Sequence, residues 1–459
     1  MTELWCELAW LGGGAGAGAD AEAEAGVLIS VDGDRIFALR SGVARPPDGA
    51  VALRGLTLPG LANAHSHAFQ RMLRGRTERS AGSFWSWRAA MYDLVDRLDP
   101  EGLYRIARAT YGEMLLAGIT CVGEFHYLHH DRGGAPYAPP SAMGDALVAA
   151  AQDVGIRLTL IDTCYLHGGI DQPLEGAQQR FGDDDADRWA SRASRRADGP
   201  RSRFAAGIHS VRAVDPDAMA VVAGWARDRG SVLHVHLSEQ PAENAACHAA
   251  YGCSPTALLA RAGVLDTQVT AVHATHLDPE DVAGLGAAGA TVCLCPTTER
   301  DLADGIGPSE ALAAAGCGLA VGTDSHAVID VLVEAREVEL HQRLATGRRG
   351  IHAPAQLLEA ATASGYRSLG WPEGGRLAPG ALADLVALRL DSVRLAGTDR
   401  RTAVDAAVFA ATAGDVDQVM VGGRFVVQDG NHVDLDVVAE LTAVTSGSGP
   451  WVSTDLERQ

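Results

Sequence analysis

The sequence contains no lysine, so all 38 of its basic residues are arginines. Any mechanism that needs a lysine side chain is therefore excluded. No clustered stripe of basic residues is present either, and the formal net charge is −20. Because nucleic-acid binding needs basic side chains gathered against phosphates, a nucleic-acid partner is excluded as well.

Cysteine pairs and long apolar runs are also missing. The eight cysteines include no CxxC pair, and most of them lie among apolar or small residues, which indicates free buried thiols in a reducing compartment. No stretch approaches the roughly 18 continuous apolar residues of a membrane span. The first eleven residues have no basic segment ahead of their apolar positions. We therefore expect a soluble cytoplasmic protein with no membrane partner.

What is present fits a large globular protein. The chain has 459 residues, of which 47% are apolar and 21% charged. One α/β barrel of typical size would leave well over a hundred residues for a second unit. We therefore expect one barrel and one accessory domain.

Both ends of the chain have the pattern of short β-strands. The predicted strands cover residues 27–31, 35–39 and 51–58 near the start, and 384–390 and 419–427 near the end. Two β-rich ends that flank an α/β middle can pack together as one split domain. The predicted organisation is a β-sandwich domain from residues 1–57 and 376–445, with a barrel from residues 58–375 between them.

In the middle of the chain, short apolar segments alternate with helical stretches. Predicted strands end at residues 65, 124–126, 163–165, 208–209, 234–236, 273, 293–295 and 323–324. Predicted helices include residues 100–117, 141–154, 216–229, 254–262 and 279–288. Eight strands that alternate with helices predict a (β/α)8 TIM barrel, and hence an α/β fold class.

Polar side chains follow several of these strands at the end where barrel enzymes collect their reactive groups. The first strand carries His65 and His67, and the i, i+2 spacing of an extended backbone sends both imidazoles to one side. His236, His273 and Asp324 follow the fifth, sixth and eighth strands. One histidine of this kind is ordinarily a packing or surface residue. Imidazoles completed by a carboxylate suit Zn²⁺ or Fe²⁺, and the set together predicts a hydrolytic metal site.

These residues resemble the pattern of the amidohydrolase superfamily, and the resemblance extends over roughly residues 55–430, including the split sandwich. The resemblance implies one divalent metal, Zn²⁺ with Fe²⁺ as the alternative, whose ligands are His65, His67, His236 and Asp324. It also implies that the catalytic residues are Glu239, His273 and Asp324. Members with two metals commonly bridge them through a carboxylated lysine, which this sequence lacks. A single metal is therefore expected, although a rarer bridging carboxylate is left open.

Four longer strings resemble the formimidoylglutamate deiminases within that superfamily: HSHAFQR at 65–71, SFWSWR at 83–88, EFHYLHH at 124–130 and CPTTE at 295–299. The resemblance implies a homodimeric enzyme of histidine degradation that hydrolyses N-formimidoyl-L-glutamate to N-formyl-L-glutamate and ammonia. It further implies that the substrate-binding residues are Gln70, Arg88, Tyr127, His209 and Arg212.

The chemistry of that small-molecule substrate agrees with two of these residues. Formimidoylglutamate has two carboxylates, and an arginine can bind a carboxylate through two parallel hydrogen bonds. Arg88 and Arg212 are the candidates, although either one alone is also explained by a surface ion pair. The alternatives are a superfamily deaminase acting on a nucleobase or another amidine-like substrate, and a barrel that binds its ligand without turnover. A nucleobase pocket has no use for two arginines that bind carboxylates, and ammonia release separates an enzyme from a binding protein.

Overall fold

The computed structural model describes residues 1–13, 22–77 and 84–446. Ser83 of the SFWSWR string lies outside the described residues. The strands are β1 Thr2–Ala9, β2 Glu24–Asp32, β3 Arg35–Arg40, β4 Val51–Pro59, β5 Leu61–Ser66, β6 Ile119–His126, β7 Arg157–Cys164, β8 Ser202–Ile208, β9 Val232–Leu237, β10 Gln268–His273, β11 Thr291–Leu294, β12 Gly318–Val321, β13 Leu385–Leu388, β14 Val416–Val421, β15 Arg424–Gln428 and β16 Asn431–His432.

Helices separate the successive strands from β5 to β12. The α-helices are α1 Phe84–Val95, α2 Pro100–Leu116, α3 Ala142–Val154, α4 Ala186–Ala193, α5 Pro216–Arg229, α6 Pro241–Tyr251, α7 Pro255–Arg261, α8 Pro279–Ala287, α9 Pro296–Asp301, α10 Ser309–Ala314, α11 Val331–Thr346, α12 Pro354–Glu359, α13 Gly365–Ser368, α14 Ala403–Phe409 and α15 Val437–Thr445. Short 3-10 turns cover Ala68–Leu73, Arg132–Gly134, Gly176–Arg180 and Ala413–Asp415, and a π turn covers Ala360–Ser364.

Strands β5 to β12 pair in sequence order, and every pair is parallel. Strands such as β7 and β9 are buried along their whole length, as expected of barrel strands that are covered on both faces. The ring closes where Ser66 forms a bridge with Asp324, whose amide donates to the carbonyl of His65 at 3.0 Å. The predicted (β/α)8 barrel is confirmed.

The eighth barrel strand ends earlier than its sequence pattern predicts. β12 stops at Val321, whereas the prediction placed the strand end at residues 323–324. The backbone leaves the extended conformation because Asp324 has a φ of 41°. Thr323 is held instead by Asn63 of β5, whose side-chain oxygen accepts from the Thr323 amide at 2.9 Å. Asp324 therefore follows the strand on a turn fastened to the first strand.

The remaining eight strands, from both ends of the chain, form a second sheet in the order β16-β15-β14-β13-β4-β1-β2-β3. β1 was not predicted, and it pairs parallel with β4 while the other neighbours are antiparallel. The sheet curls on itself, since the amide of Ile36 donates to the carbonyl of Ala381 at 2.9 Å. The two halves enclose a core that includes Leu4, Ile29 and Leu385. This is the split sandwich expected from the sequence, although its boundaries at residues 57 and 376 remain predictions.

A buried ion pair joins the two sheets. Arg157 at the start of β7 donates two hydrogen bonds to Asp384, Nε to Oδ2 at 2.8 Å and Nη2 to Oδ1 at 3.0 Å. Both side chains are fully buried. The Tyr366 hydroxyl and the Gly422 amide also donate to this carboxylate. The sheet is thus fixed against the amino-terminal ends of the barrel strands, away from the predicted site.

Two further expectations concern the cysteines and the membrane. All eight cysteines are buried and free. Among the helices of the described residues, none is both long enough and apolar enough to span a bilayer.

Candidate active site

The four predicted metal ligands lie together at the carboxyl ends of β5, β9 and β12. The Nε2 atom of His65 is 3.2 Å from His67 Nε2 and 3.0 Å from His236 Nε2. The Oδ1 atom of Asp324 is 3.3 Å from the Nε2 atoms of both His65 and His67. All four residues are buried. The barrel therefore brings together side chains from three distant parts of the sequence around one point.

Backbone carbonyls set the tautomers of two of these histidines. The Nδ1–H of His67 donates to the carbonyl of Phe125 at 2.9 Å, and the Nδ1–H of His236 donates to the carbonyl of His209 at 2.9 Å. Their Nε2 atoms consequently present lone pairs to the centre of the cluster, as in metal-binding histidines. Burial also lowers the pKa of His65 to about 3 and lowers the pKa values of His67 and His236. All three imidazoles are neutral.

This arrangement fits a divalent cation. Lone pairs from His67 and His236, together with the Asp324 carboxylate, point at the Nε2 atom of His65, and one proton there cannot satisfy all of them. A cation at the centre would remove the repulsion. Three neutral imidazoles and one carboxylate are a donor set typical of Zn²⁺ and Fe²⁺, and the 3.0–3.3 Å separations suit neighbouring ligands of one small ion.

The predicted acid–base residues lie beside this cluster. The Oε1 atom of Glu239 is 3.7 Å from the Nε2 atom of His273, and the His273 ring stacks on that of His236 at 5.6 Å. Burial raises the pKa of Glu239. Burial alone would lower the pKa of His273, but the carboxylates of Glu239, Glu299 and Asp324 raise it well above its usual value.

Asp324 is held as an anion. Burial alone would raise its pKa, but the hydrogen bond from His65 and the charge of His273 hold the pKa of Asp324 well below its usual range. Three of the residues at these strand ends also have left-handed backbone conformations that non-glycine residues rarely adopt, with φ values of 50° at Ser238, 66° at His273 and 41° at Asp324. Such conformations persist where surrounding contacts enforce them, and they are common at functional sites.

All five predicted substrate-binding residues line one cavity that opens onto the cluster; they are Gln70, Arg88, Tyr127, His209 and Arg212. The side-chain nitrogen of Gln70 donates to the Tyr127 hydroxyl at 3.3 Å. The side-chain oxygen of Gln70, Oε1, is buried and has no hydrogen-bond partner within the described residues. The Nε atom of Arg88 donates to the hydroxyl of Tyr92 at 2.6 Å.

The two arginines line the same cavity, and their charges act on His209. Burial lowers the pKa of His209 well below its usual value, and the nearby positive charges of Arg212 and Arg88 lower it further. His209 is therefore neutral. Its ring packs against Tyr165, with the ring centroids 4.5 Å apart.

Sequence reasoning missed several residues of this cavity. Tyr92, Tyr165 and Phe181 line it, and Gln178 links the first two by donating to their hydroxyls at 3.1 and 3.3 Å. Tyr92 had one usable signal, because it lies four residues after Arg88 on a helix and so shares its face. Phe181 and Gln178 follow β7 in an irregular segment, and no periodicity of the sequence indicated them.

Comparison with known proteins assigns the chain to a family. The model of the Amidohydrolase family matches residues 56–426, which include the whole barrel and every residue of the site. The chain belongs to the amidohydrolase family. The match also includes part of the second sheet, from the end of β4 to the start of β15.

Amidohydrolase relatives with assigned activities cover most of the chain. The chain is 39% identical to formimidoylglutamate deiminase of Pseudomonas aeruginosa over 84% of this chain and 87% of that protein. It is 32% identical to 8-oxoguanine deaminase of the same organism over 84% of this chain and 86% of that protein. A crystal structure of an amidohydrolase from Brucella melitensis superposes with a TM-score of 0.86 at 33% identity, covering 97% of this chain and 99% of that one. As a member of this family, the protein is a hydrolase of carbon–nitrogen bonds.

Proposed function

We propose that the protein is a metal-dependent deiminase that hydrolyses N-formimidoyl-L-glutamate to N-formyl-L-glutamate and ammonia, a reaction of histidine degradation. The observation that carries the proposal is the position of Arg88 and Arg212 in the same cavity as the His-Asp cluster. A substrate with two carboxylates and one formimidoyl group matches a cavity that is lined by two guanidinium groups and by residues of the cluster. The 39% identical Pseudomonas aeruginosa deiminase supports the same substrate.

The cluster residues His65, His67, His236 and Asp324 would hold one divalent ion, most simply Zn²⁺. When bound, such an ion lowers the pKa of water and polarises the carbon under attack. The site residues supply the remaining steps.

The proton transfers follow from the charges of the site. Asp324 is an anion and accepts a proton from the attacking water as oxygen bonds to the formimidoyl carbon. Glu239, whose burial favours its protonated form, donates to the terminal nitrogen. His273 lies beside Glu239 and donates a hydrogen bond to the oxygen where negative charge develops. Asp324 then passes its proton to the same nitrogen, and the bond between that carbon and the nitrogen breaks while the hydroxyl proton returns to Glu239. The formyl product and ammonia are left, and both carboxyl groups regain their starting states.

Substrate orientation comes from other residues that line the cavity. Arg88 and Arg212 bind the carboxylates, while Gln70 and Tyr127 close the side nearest His67. Because arginine binds a carboxylate in a planar, two-pronged geometry, the clamp fixes direction as well as position.

One specific observation favours a second candidate, deamination of a nucleobase. Tyr127, Tyr165 and Phe181 form an aromatic cluster with ring centroids 5.0 to 6.4 Å apart, and such a wall could stack a planar base. The 32% identical relative named 8-oxoguanine deaminase supports this alternative. It leaves the two arginines of the cavity without a role.

The test is product identification with purified, metal-loaded protein. Incubation with N-formimidoyl-L-glutamate should yield ammonia and N-formyl-L-glutamate in equal amounts, and a chelator should stop the reaction. Formimidoylaspartate, guanine, cytosine and adenosine form the comparison panel. Faster ammonia release from a nucleobase than from the formimidoyl amino acids would overturn the proposal.

A further inference from the structure

Glu243 is a buried carboxylate at the edge of the site that the proposed reaction does not use. It lies in the first turn of α6, the helix that follows β9, and its side chain is 1% exposed. Its two oxygens hold different partners: Oε2 accepts from Arg212 Nε at 2.7 Å, and Oε1 accepts from the amide of Ser238 at 2.9 Å. One carboxylate thus joins a proposed substrate-binding residue to the turn that precedes Glu239.

The bond to Arg212 fixes the orientation of its guanidinium group. Arg212 follows β8, lines the cavity and is 19% exposed. Because the group is planar, a bond at Nε on one edge sets the direction of the two terminal nitrogens on the other. Among the described residues, no acceptor is found for the terminal nitrogens of Arg212. They are available to a carboxylate ligand.

The bond to Ser238 fixes a strained turn. Ser238 has a φ of 50°, a conformation that is costly for a residue with a side chain. A charged acceptor on its amide stabilises that conformation, since hydrogen bonds to ionised groups are stronger than neutral ones. Glu239 is the next residue and lines the cavity, so the turn determines where its carboxyl group lies.

We propose that Glu243 is a positioning residue that couples carboxylate recognition by Arg212 to the placement of Glu239. The protein thereby selects substrates whose acidic group lies at a set distance from the reacting carbon. This inference rests on the proposed function. A purely structural ion pair is the competing explanation, because breaking any buried pair also destabilises the fold.

The first experiment separates the two bonds. Glu243→Gln retains an oxygen for the Ser238 amide but turns an amide N–H toward Arg212 Nε. KM for N-formimidoyl-L-glutamate should rise on the order of ten- to a hundredfold while kcat changes little, by the usual strength of a charged hydrogen bond. Glu243→Ala loses both bonds and should lower kcat as well. The matched control is Glu280→Gln in the exposed first turn of α8, which should leave both constants unchanged.

Two readouts exclude a merely structural role. In Arg212→Met, adding Glu243→Gln should raise KM no further, whereas independent effects would multiply. An N-formimidoyl alkylamine without carboxylates should react equally with wild type and Glu243→Gln. If Glu243→Gln slows both substrates alike, or if the double variant is additive, the inference is overturned.

Failure of the proposed function remains distinguishable from failure of this inference. If the wild type does not hydrolyse N-formimidoyl-L-glutamate, the proposed function fails, and calorimetry with glutarate then decides the role of Glu243. Glutarate should bind Glu243→Gln on the order of tenfold or more weakly than wild type. Equal affinities would overturn the inference. If Glu243→Ala does not fold, the role of Glu243 is still tested by Glu243→Gln and by its combination with Arg212→Met.

Discussion

At the scale of single residues, two backbone carbonyls determine which nitrogens of the His-Asp cluster carry protons. The carbonyls of Phe125 and His209 each accept the Nδ1–H of a histidine, so both Nε2 atoms face inward without a proton. His209 has two roles: its carbonyl accepts a hydrogen bond from His236, and its side chain lines the cavity. The position of the cluster and the position of the cavity wall are therefore linked through one residue.

Removal of a cluster residue should abolish metal binding without unfolding the chain. His65→Ala, His236→Ala and Asp324→Asn change side chains at strand ends, outside the packed interior of the barrel. Elemental analysis should show loss of the ion, and ammonia release should fall to background, while the far-ultraviolet circular dichroism spectrum is retained. A variant that keeps both its ion and its activity would refute the assignment of that ligand.

Replacement of either arginine should weaken substrate recognition alone. Arg88→Met or Arg212→Met should lower kcat/KM for N-formimidoyl-L-glutamate on the order of 10- to 150-fold, because a hydrogen bond to a charged group is worth about 1.5–3 kcal/mol. Metal content should not change. Lysine should rescue only partly, since a point charge cannot form the two-pronged contact. Arg188→Met, at a side chain that is 70% exposed, is the control, and wild-type activity in both cavity variants would contradict the clamp.

At the scale of elements, helix starts were the most predictable feature. The predicted starts at residues 100, 216 and 279 match Pro100, Pro216 and Pro279. Each proline follows an aspartate whose side chain accepts a backbone hydrogen bond from the first turn. A capping residue before a proline is a local signal, so the sequence alone is enough to fix such a start.

Features that depend on distant contacts were less predictable. The end of β12 is set by Asn63, about 260 positions earlier in the chain, and the bond between Glu243 and Arg212 joins two different strand ends. The sequence pattern correctly predicted that the cluster residues lie at one edge of the barrel, because the carboxyl ends of parallel barrel strands all lie at that edge. It could not indicate Gln178 or Phe181, because irregular segments place side chains through tertiary contacts that leave no periodic pattern.

The ion pair that joins the two sheets should make a large contribution to stability. Asp384→Asn leaves Arg157 buried and without a countercharge, and breaking a buried pair in this way costs about 3–5 kcal/mol. The free energy of unfolding in urea measures this loss. The control is Asp434→Asn in the Arg424–Asp434 pair, whose side chains are 63% and 61% exposed, and it should cost less than about 1 kcal/mol. Equal losses in the two variants would contradict the role given to the buried pair.

At the scale of the whole molecule, we expect one essential metal ion per chain. The described residues contain a second group of potential ligands, His273, Cys295 and Glu299, but the proposed reaction requires His273 for the hydrogen bond to the developing oxyanion. Chelated protein should therefore regain full activity with one equivalent of metal. A requirement for a second equivalent would contradict this expectation. A homodimer remains a prediction, which sedimentation equilibrium would test.

The most direct test of the proposed substrate compares two compounds on one metal-loaded preparation of the protein. The cavity contains two arginines whose positive charges a neutral nucleobase does not balance, and sites built for charged groups discriminate strongly against ligands that lack them. If the two arginines bind the substrate's carboxylates, kcat/KM for N-formimidoyl-L-glutamate should exceed that for 8-oxoguanine by at least about a hundredfold. A larger kcat/KM for 8-oxoguanine would contradict the deiminase proposal and assign the cavity to nucleobase deamination.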